Sequence, residues 1–230
     1  MEQQPAHGGE QLCPRETTPC IGTRTAVRGT NKCRVAYLIW ADLYRYDGAR
    51  GLKGFFAKYL REPGFRFTFW MRLSASLGEA PLLYVVYLMA RWERRRLEHK
   101  FGITIPHTTC IGPGLFIGHF GGIVVHGAAV IGRNCNLSHD VTIGQTNRGD
   151  HQGCPVIGDS VYLGPGSKVI GRVIIGSNVA IGANAVVTHD VQDGEVVAGV
   201  PARVISHQGS VGYINWTDYD REPRTAADRG

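Results

Sequence analysis

The stretch Ile157–Val187, IGDSVYLGPGSKVIGRVIIGSNVAIGANAVV, decides the fold. Aliphatic residues occupy every sixth position of it: Ile157, Leu163, Val169, Ile175, Ile181 and Val187. A period of six suits neither the 3.6 of an amphipathic helix nor a heptad. It suits a short strand followed by a turn, three of which close a triangular coil of ~18 residues. Each aliphatic side chain then points inward and stacks on its counterpart in the next coil, while the small residue after it lets the backbone turn the corner.

The same step of six links Val125, Ile131, Leu137 and Ile143, and before them Ile105, Ile111, Ile117 and Ile123, with two extra residues separating the registers. Glycine usually follows the aliphatic residue, at Gly112, Gly118, Gly132, Gly144, Gly158, Gly164, Gly176 and Gly182. A β-sandwich would instead show a period of two and irregular turn spacing. One coil cannot bury its own core, so stability comes from stacking, and Ile105 to Val200 supplies about five coils. The repeat breaks once: Ile143 and Ile157 are fourteen apart, and the insert from Gln145 to Cys154 is polar and glycine-rich. Such a stretch loops out of the prism and forms a candidate site wall.

The 230 residues are 43% apolar and 19% charged, which allows a substantial core and excludes a disordered or collagenous chain. Residues 1–34 lack periodicity and read as a flexible arm. Residues 35–103 carry aromatic and aliphatic residues at helical spacing, broken at Gly48, Gly51, Pro63-Gly64 and Gly78, and read as three or four short helices. The β-helix is expected over 104–205, with a C-terminal tail over 206–230.

Thirteen basic and six acidic residues between Arg34 and Lys100 give that part +7, more than the +6 of the whole chain. The run Arg91–Lys100 beside an apolar helix suits peripheral contact with an anionic membrane surface, although a solvated helix face explains it as well. No nucleic-acid-binding motif is present. Six cysteines without paired metal-finger spacing, and no apolar core in the first thirty residues, lead to the expectation of a cytoplasmic protein, at most peripheral at the inner membrane face. The apolar stretch Ala80–Ala90 is shorter than the ~20 residues of a spanning helix.

Gly118-His119-Phe-Gly-Gly-Ile-Val-Val, Val141-Thr-Ile-Gly144, Gly158-Asp and Ala198-Gly-Val-Pro-Ala-Arg-Val-Ile205 resemble the hexapeptide acyltransferases. Within them the chain resembles the serine acetyltransferases, and its helical segment, with Asp42-Leu-Tyr-Arg-Tyr followed by Pro63-Gly-Phe-Arg-Phe-Thr-Phe-Trp70, looks like that of their exopolysaccharide- and capsule-associated subgroup. The resemblance implies a mainly β fold, a left-handed parallel β-helix with an N-terminal α-helical segment. It also implies acetyl transfer from acetyl-CoA to a hydroxyl, without a metal, at sites between the prisms of a homotrimer or dimer of trimers. The family's catalytic histidine falls on His119. An alcohol is a poor nucleophile at neutral pH, and an imidazole can take its proton during attack on the thioester.

His151 and Cys154 in the projecting loop, and Asp47 (or Asp42) in the helical segment, are candidate acceptor contacts. Gly144, Gly164, Pro165, Gly166 and Ala183 are expected at matching corners along a pantetheine channel, with Lys168 and Arg203 as cations for the CoA phosphates. His126 and His139 are weaker candidates. Three positions depart from the serine acetyltransferase pattern. Gly118 stands where the family has aspartate, Gly153-Cys154-Pro155 where it has Arg-His-Pro, and Thr104 where it has the histidine-orienting aspartate. An amino-acid acceptor carries an ammonium and a carboxylate, each needing an opposite charge once desolvated. The departures therefore lead to the expectation of a sugar hydroxyl in exopolysaccharide or cell-surface glycan synthesis, with serine O-acetylation in cysteine biosynthesis as the alternative. A non-catalytic trimeric scaffold and a metal-dependent enzyme of the carbonic-anhydrase kind are the other classes weighed.

Overall fold

The computed structural model describes residues 31–77 and 84–220. Four helices precede the repeat: α1 (Asn31–Tyr44), α2 (Gly51–Arg61), α3 (Pro63–Leu77) and α4 (Tyr84–Phe101). The expected arm lies outside the described residues as far as Thr30, and its last four residues, from Asn31, already belong to α1. Ala80 to Leu83 of the apolar stretch also lie outside them. No helix among the described residues is long and apolar enough to cross a membrane.

The repeat forms a left-handed parallel β-helix with three faces. The first face stacks β1 (Ile103–Thr104), β4 (Ile123–Val125), β7 (Thr142–Gly144), β10 (Lys168–Ile170) and β13 (Val186–Val187). The second stacks β2 (Cys110–Ile111), β5 (Val130–Ile131), β8 (Val156–Ile157) and β11 (Ile174–Ile175). The third stacks β3 (Phe116–Ile117), β6 (Asn136–Leu137), β9 (Tyr162–Leu163), β12 (Ala180–Ile181) and β14 (Val196–Ala198), closed by an antiparallel β15 (Arg203–Ser206). Registers give the coil lengths directly. Leu163 pairs with Ile181, 18 residues on, whereas Ile117 pairs with Leu137, 20 on, and Leu137 with Leu163, 26 on. The long coil contains the projecting loop.

Every aliphatic residue of the six-step series from Ile105 to Val187 is buried, each at 8% exposure or less, and together they form one continuous core. At two of the corners, the third residue after the inward aliphatic takes a left-handed conformation. Asn134, Ser160 and Asn178 do so on one corner, Asp140 and Asn184 on another, with φ between 55° and 58°. Asn and Asp tolerate this region best among non-glycine residues, because their short side chains bond locally. This is why the hexapeptide turns are rich in Asn, Asp and Gly.

The helices close the open end of the prism. Phe67 and Met71 of α3 and Leu97 and Phe101 of α4 join the aliphatic core, while Phe65 packs in a second cluster with Ile39, Leu43 and Tyr46. Polar groups fix the junction. Arg72 Nη1 and Nη2 donate to the carbonyls of Ile111 and Gly112 at 2.7 and 2.6 Å, and Nε donates to Asp42 at 2.9 Å. The buried Arg45 donates to Gly114 O, Asn136 Oδ1 and Asn215 O at 2.6 to 2.8 Å, tying helix, prism and C-terminal segment together. The part of the tail that is described packs on the molecule. Tyr213 stacks on Tyr162, ring centroids 4.4 Å apart, and Tyr219 lies edge-on to Tyr37.

Candidate active site

His119 lies on the corner between the third and first faces. Between Ile117 and Val125 the chain uses eight residues where the regular repeat uses six, and the two extra carry the segment Gly118–Gly122 outward. Gly118, His119 and Phe120 are exposed. Phe120 is anchored on Phe101 of α4, ring centroids 5.3 Å apart, so the outward segment is braced on one side.

The next coil adds a second imidazole. Extending the Ile117–Leu137 register by two residues sets His119 beside His139, and their rings stand edge to face with centroids 6.1 Å apart. The sequence reading gave His139 little weight, yet the 20-residue coil puts it at an equivalent point. His126 is not equivalent: it follows β4 at the opposite end of the first face.

Asp140 adds charge at the same corner. Its backbone N–H donates to Gly121 O at 2.8 Å, and its carboxylate lies so close to Gly122 that a side chain there would overlap it. A carboxylate therefore stands beside the His119 segment although Gly118 replaces the family's aspartate. Sequence reasoning missed Asp140. The signal was the pair His139-Asp140, 20 residues after His119-Phe120.

The projecting loop rises at the other end of the first face. Thr146 and Gly153 exchange both backbone hydrogen bonds, at 3.2 and 3.0 Å, and so pinch its base. His151 is exposed, and its carbonyl accepts the Arg172 N–H at 2.9 Å. The Arg172 side chain passes 3.2 Å from where a Cβ on Gly153 would sit. Arg172, also missed from sequence, is exposed, and its side chain leaves the prism beside Gly153, where the resembling pattern has arginine. Cys154 is buried at the base, its Sγ 3.1 Å from His126 Nδ1 and 3.8 Å from Gln145 Oε1.

Four of the expected CoA-channel residues share the His119 corner. Extending the Leu137–Leu163 and Leu163–Ile181 registers brings Pro165 onto His139 and Ala183 onto Pro165, with Gly164 and Gly166 flanking. Gly144 does not join them. It ends β7 on the far side of the first face, where the loop departs, so the expectation of one matching corner is corrected there. Lys168 Nζ donates to Asp140 O at 2.7 Å, which keeps the ammonium beside the His139 turn. Arg203 donates to His189 Nε2 at 2.7 Å and to Ala202 O at 2.8 Å.

The helical candidates belong elsewhere. Asp42 is fully enclosed, bonded to Arg72 and to the Leu115 N–H, so it bridges helix and prism and has no surface for an acceptor. Burial pushes its carboxyl above the ordinary range, while Arg72 and the Leu115 N–H pull it back. Asp47 is exposed and paired with Lys58 at 2.6 Å. It rims a groove of about 220 Å³ with Arg45, Phe116, Asn136 and Tyr213 on the third face, away from the loop. Thr104 is exposed on β1.

Comparison with known proteins agrees with this architecture. The family described as bacterial transferase hexapeptide (six repeats) matches residues 154–189. A serine acetyltransferase of Helicobacter pylori is 34% identical over 144 residues, covering 63% of this chain and 82% of that protein. One from Synechococcus elongatus is 33% identical over 147 residues, and there the match spans 64% of this chain and only 59% of the relative. Among solved structures, the Neisseria gonorrhoeae serine acetyltransferase in complex with serine superposes with a TM-score of 0.61 at 30% identity, covering 76% of this chain and 71% of that one. A serine acetyltransferase in complex with CoA gives 0.61 at 26% identity, covering 75% and 70%. On the strength of the 34% identity across four-fifths of the Helicobacter protein, together with the shared left-handed prism, this chain belongs to the serine acetyltransferase family of hexapeptide transferases.

Proposed function

We propose that the protein is an acetyl-CoA-dependent O-acetyltransferase in which His119 is the general base and L-serine the acceptor. The observation that carries the reading is an exposed imidazole on a widened corner, with the Asp140 carboxylate packed against Gly122 three residues on. His119 takes the hydroxyl proton as the acceptor oxygen attacks the thioester carbon. The tetrahedral intermediate then collapses, the C–S bond breaks, and the imidazolium returns the proton to the CoA sulfur. Pro165 and Ala183, on the same corner, offer a smooth wall along which pantetheine lies, and Lys168, bonded to the Asp140 carbonyl, supplies a cation beside the His139 turn.

The relatives named serine acetyltransferase favour serine over the sugar acceptor that the sequence departures suggested. Charge supports the same choice. Asp140 at one end of the first face and Arg172 at the other supply the two signs that an amino acid needs. These ends are separated by the whole of β4, so a small acceptor meets both only where two copies adjoin, which supports assembly as a homotrimer. The neutral Gly118, Thr104 and Cys154 favour the sugar as second reading. Exposed Val85, Met89 and Trp92 beside Arg95 and Arg96 on α4 support peripheral contact with anionic lipid, which vesicle flotation tests.

The deciding experiment measures CoA release from acetyl-CoA with L-serine, free sugars and polymeric sugars as acceptors. Serine-dependent release supports the reading. Release with sugars alone replaces it with the second.

A further inference from the structure

The cluster of His126, Cys154 and Gln145 at the base of the projecting loop has no part in the proton transfer described above. His126 Nδ1 receives the Ala128 N–H at 3.1 Å, and a backbone N–H can only donate. Nδ1 is therefore the bare, accepting nitrogen of a neutral ring, and the ring proton sits on Nε2. The Cys154 thiol lies 3.1 Å from the same Nδ1 and 3.8 Å from Gln145 Oε1, so its single proton is shared between these two acceptors. The Ala128 N–H fixes the tautomer, and the sulfur packed against the same edge limits rotation of the ring. Cys154 is buried and His126 partly exposed, and Nε2 has no hydrogen-bond partner among the described residues.

Two features of the chain converge here. The loop ends in Gly153-Cys154-Pro155, with cysteine where the resembling pattern has histidine, and His126 brings an imidazole to that cysteine from a different coil. The loop thus has an imidazole at its base, oriented by the residue that took the histidine's place. We infer that His126 is an acceptor-binding residue: its Nε2–H donates a hydrogen bond to an oxygen of the acceptor, and Cys154 is the positioning residue that holds the ring for it. The chemistry recognised is a carboxylate or hydroxyl oxygen, since a neutral N–H donor satisfies either without demanding a counter-charge. The inference rests on the acyl-transfer reading but assigns a different residue at the opposite end of the first face from His119.

The first measurement needs no turnover. Long-range proton–nitrogen spectra of the uniformly labelled protein report the ring tautomer, and His126 is expected as the Nε2–H form between pH 7 and 8. An Nδ1–H ring overturns the inference. The second is steady-state kinetics with acetyl-CoA and, in parallel, L-serine and N-acetylglucosamine. His126→Ala is expected to raise the acceptor KM about tenfold, the loss of one hydrogen bond, with the acetyl-CoA KM unchanged and kcat within about threefold. His126→Gln, which keeps a neutral N–H, recovers part of that loss, and Cys154→Ala, which removes the contact that holds the ring, is expected to raise the acceptor KM in the same direction, an unchanged value removing Cys154 from the assignment. Circular dichroism and sedimentation of each variant confirm an intact assembly. An intact His126→Ala protein with unchanged acceptor KM sinks the assignment while acetyl transfer stands. A wild-type protein that releases no CoA with either acceptor sinks both, and retention of turnover by His119→Ala sinks the base assignment alone.

Discussion

Arg72 Nε donates to Asp42 Oδ2 at 2.9 Å while its Nη1 and Nη2 donate to the carbonyls of Ile111 and Gly112, so one guanidinium joins α3, α1 and the first complete coil. Both side chains are almost wholly enclosed, 6% and 1% exposed. A buried pair gains little over a well-packed apolar pair, but half of one is costly because a charge stays behind unpaired. Asp42→Ala should therefore lower unfolding free energy by about 3–5 kcal/mol. Urea denaturation checks it, and a loss below about 1 kcal/mol would mean that water reaches the guanidinium.

A tighter steric limit acts along the corner between the second and third faces. A Cβ placed on Gly132 meets the Gly158 carbonyl oxygen at 2.5 Å, and that oxygen belongs to the backbone of the next coil and cannot turn aside. Gly132→Ala is expected to cost about 1–3 kcal/mol through forced separation of neighbouring coils. Thermal unfolding measures this, with Ala128→Gly, on an exposed turn, as the comparison.

The period of six made the prism legible, because a stacked core demands one inward aliphatic per side and nothing in an ordinary sheet repeats so regularly. The residue proposed as base stood out for a similar reason: His119 sits where the step widens from six to eight. Asp140 and Arg172 were not, because each reaches the site through a coil length, 20 residues in one case and 26 in the coil that contains the loop, that only pairing reveals. Asp42 misled for the opposite reason. A carboxylate in an aromatic helical segment reads as a binding group, and its actual partners, Arg72 and the Leu115 N–H, lie 30 and 73 residues away. For the tail the sequence marked only where the repeat ends, and its partners appear in the structure alone: Tyr213 on Tyr162, Asn215 on Arg45 and Tyr219 on Tyr37.

His107 introduces a pH dependence of stability. Burial lowers its pKa below the ordinary histidine value, and the nearby Arg94 and Arg91 lower it further. The folded state thus resists a proton that the unfolded chain accepts, so stability is full above pH about 6.5 and declines as pH falls through that value. The urea midpoint should drop between pH 7.5 and 5.5, and His107→Asn should flatten part of that drop. An identical slope in the variant would assign the dependence to other groups.

His119→Ala tests the chemistry most directly. The ring is exposed and contributes nothing to the aliphatic core, so its removal should leave the unfolding transition unchanged. Loss of a general base costs about 10²–10⁴ in rate. The loss should appear in kcat with both KM values nearly constant, since the imidazole acts on the proton in flight and not on the bound ground state. His139→Ala serves as the companion, because its ring stands 6.1 Å away on the next coil at the same corner. If His139 carried the proton instead, the two variants would exchange phenotypes, with His139→Ala inactive and His119→Ala nearly wild type. Coupled assay of CoA release across pH 6 to 9 for wild type and both variants separates these outcomes.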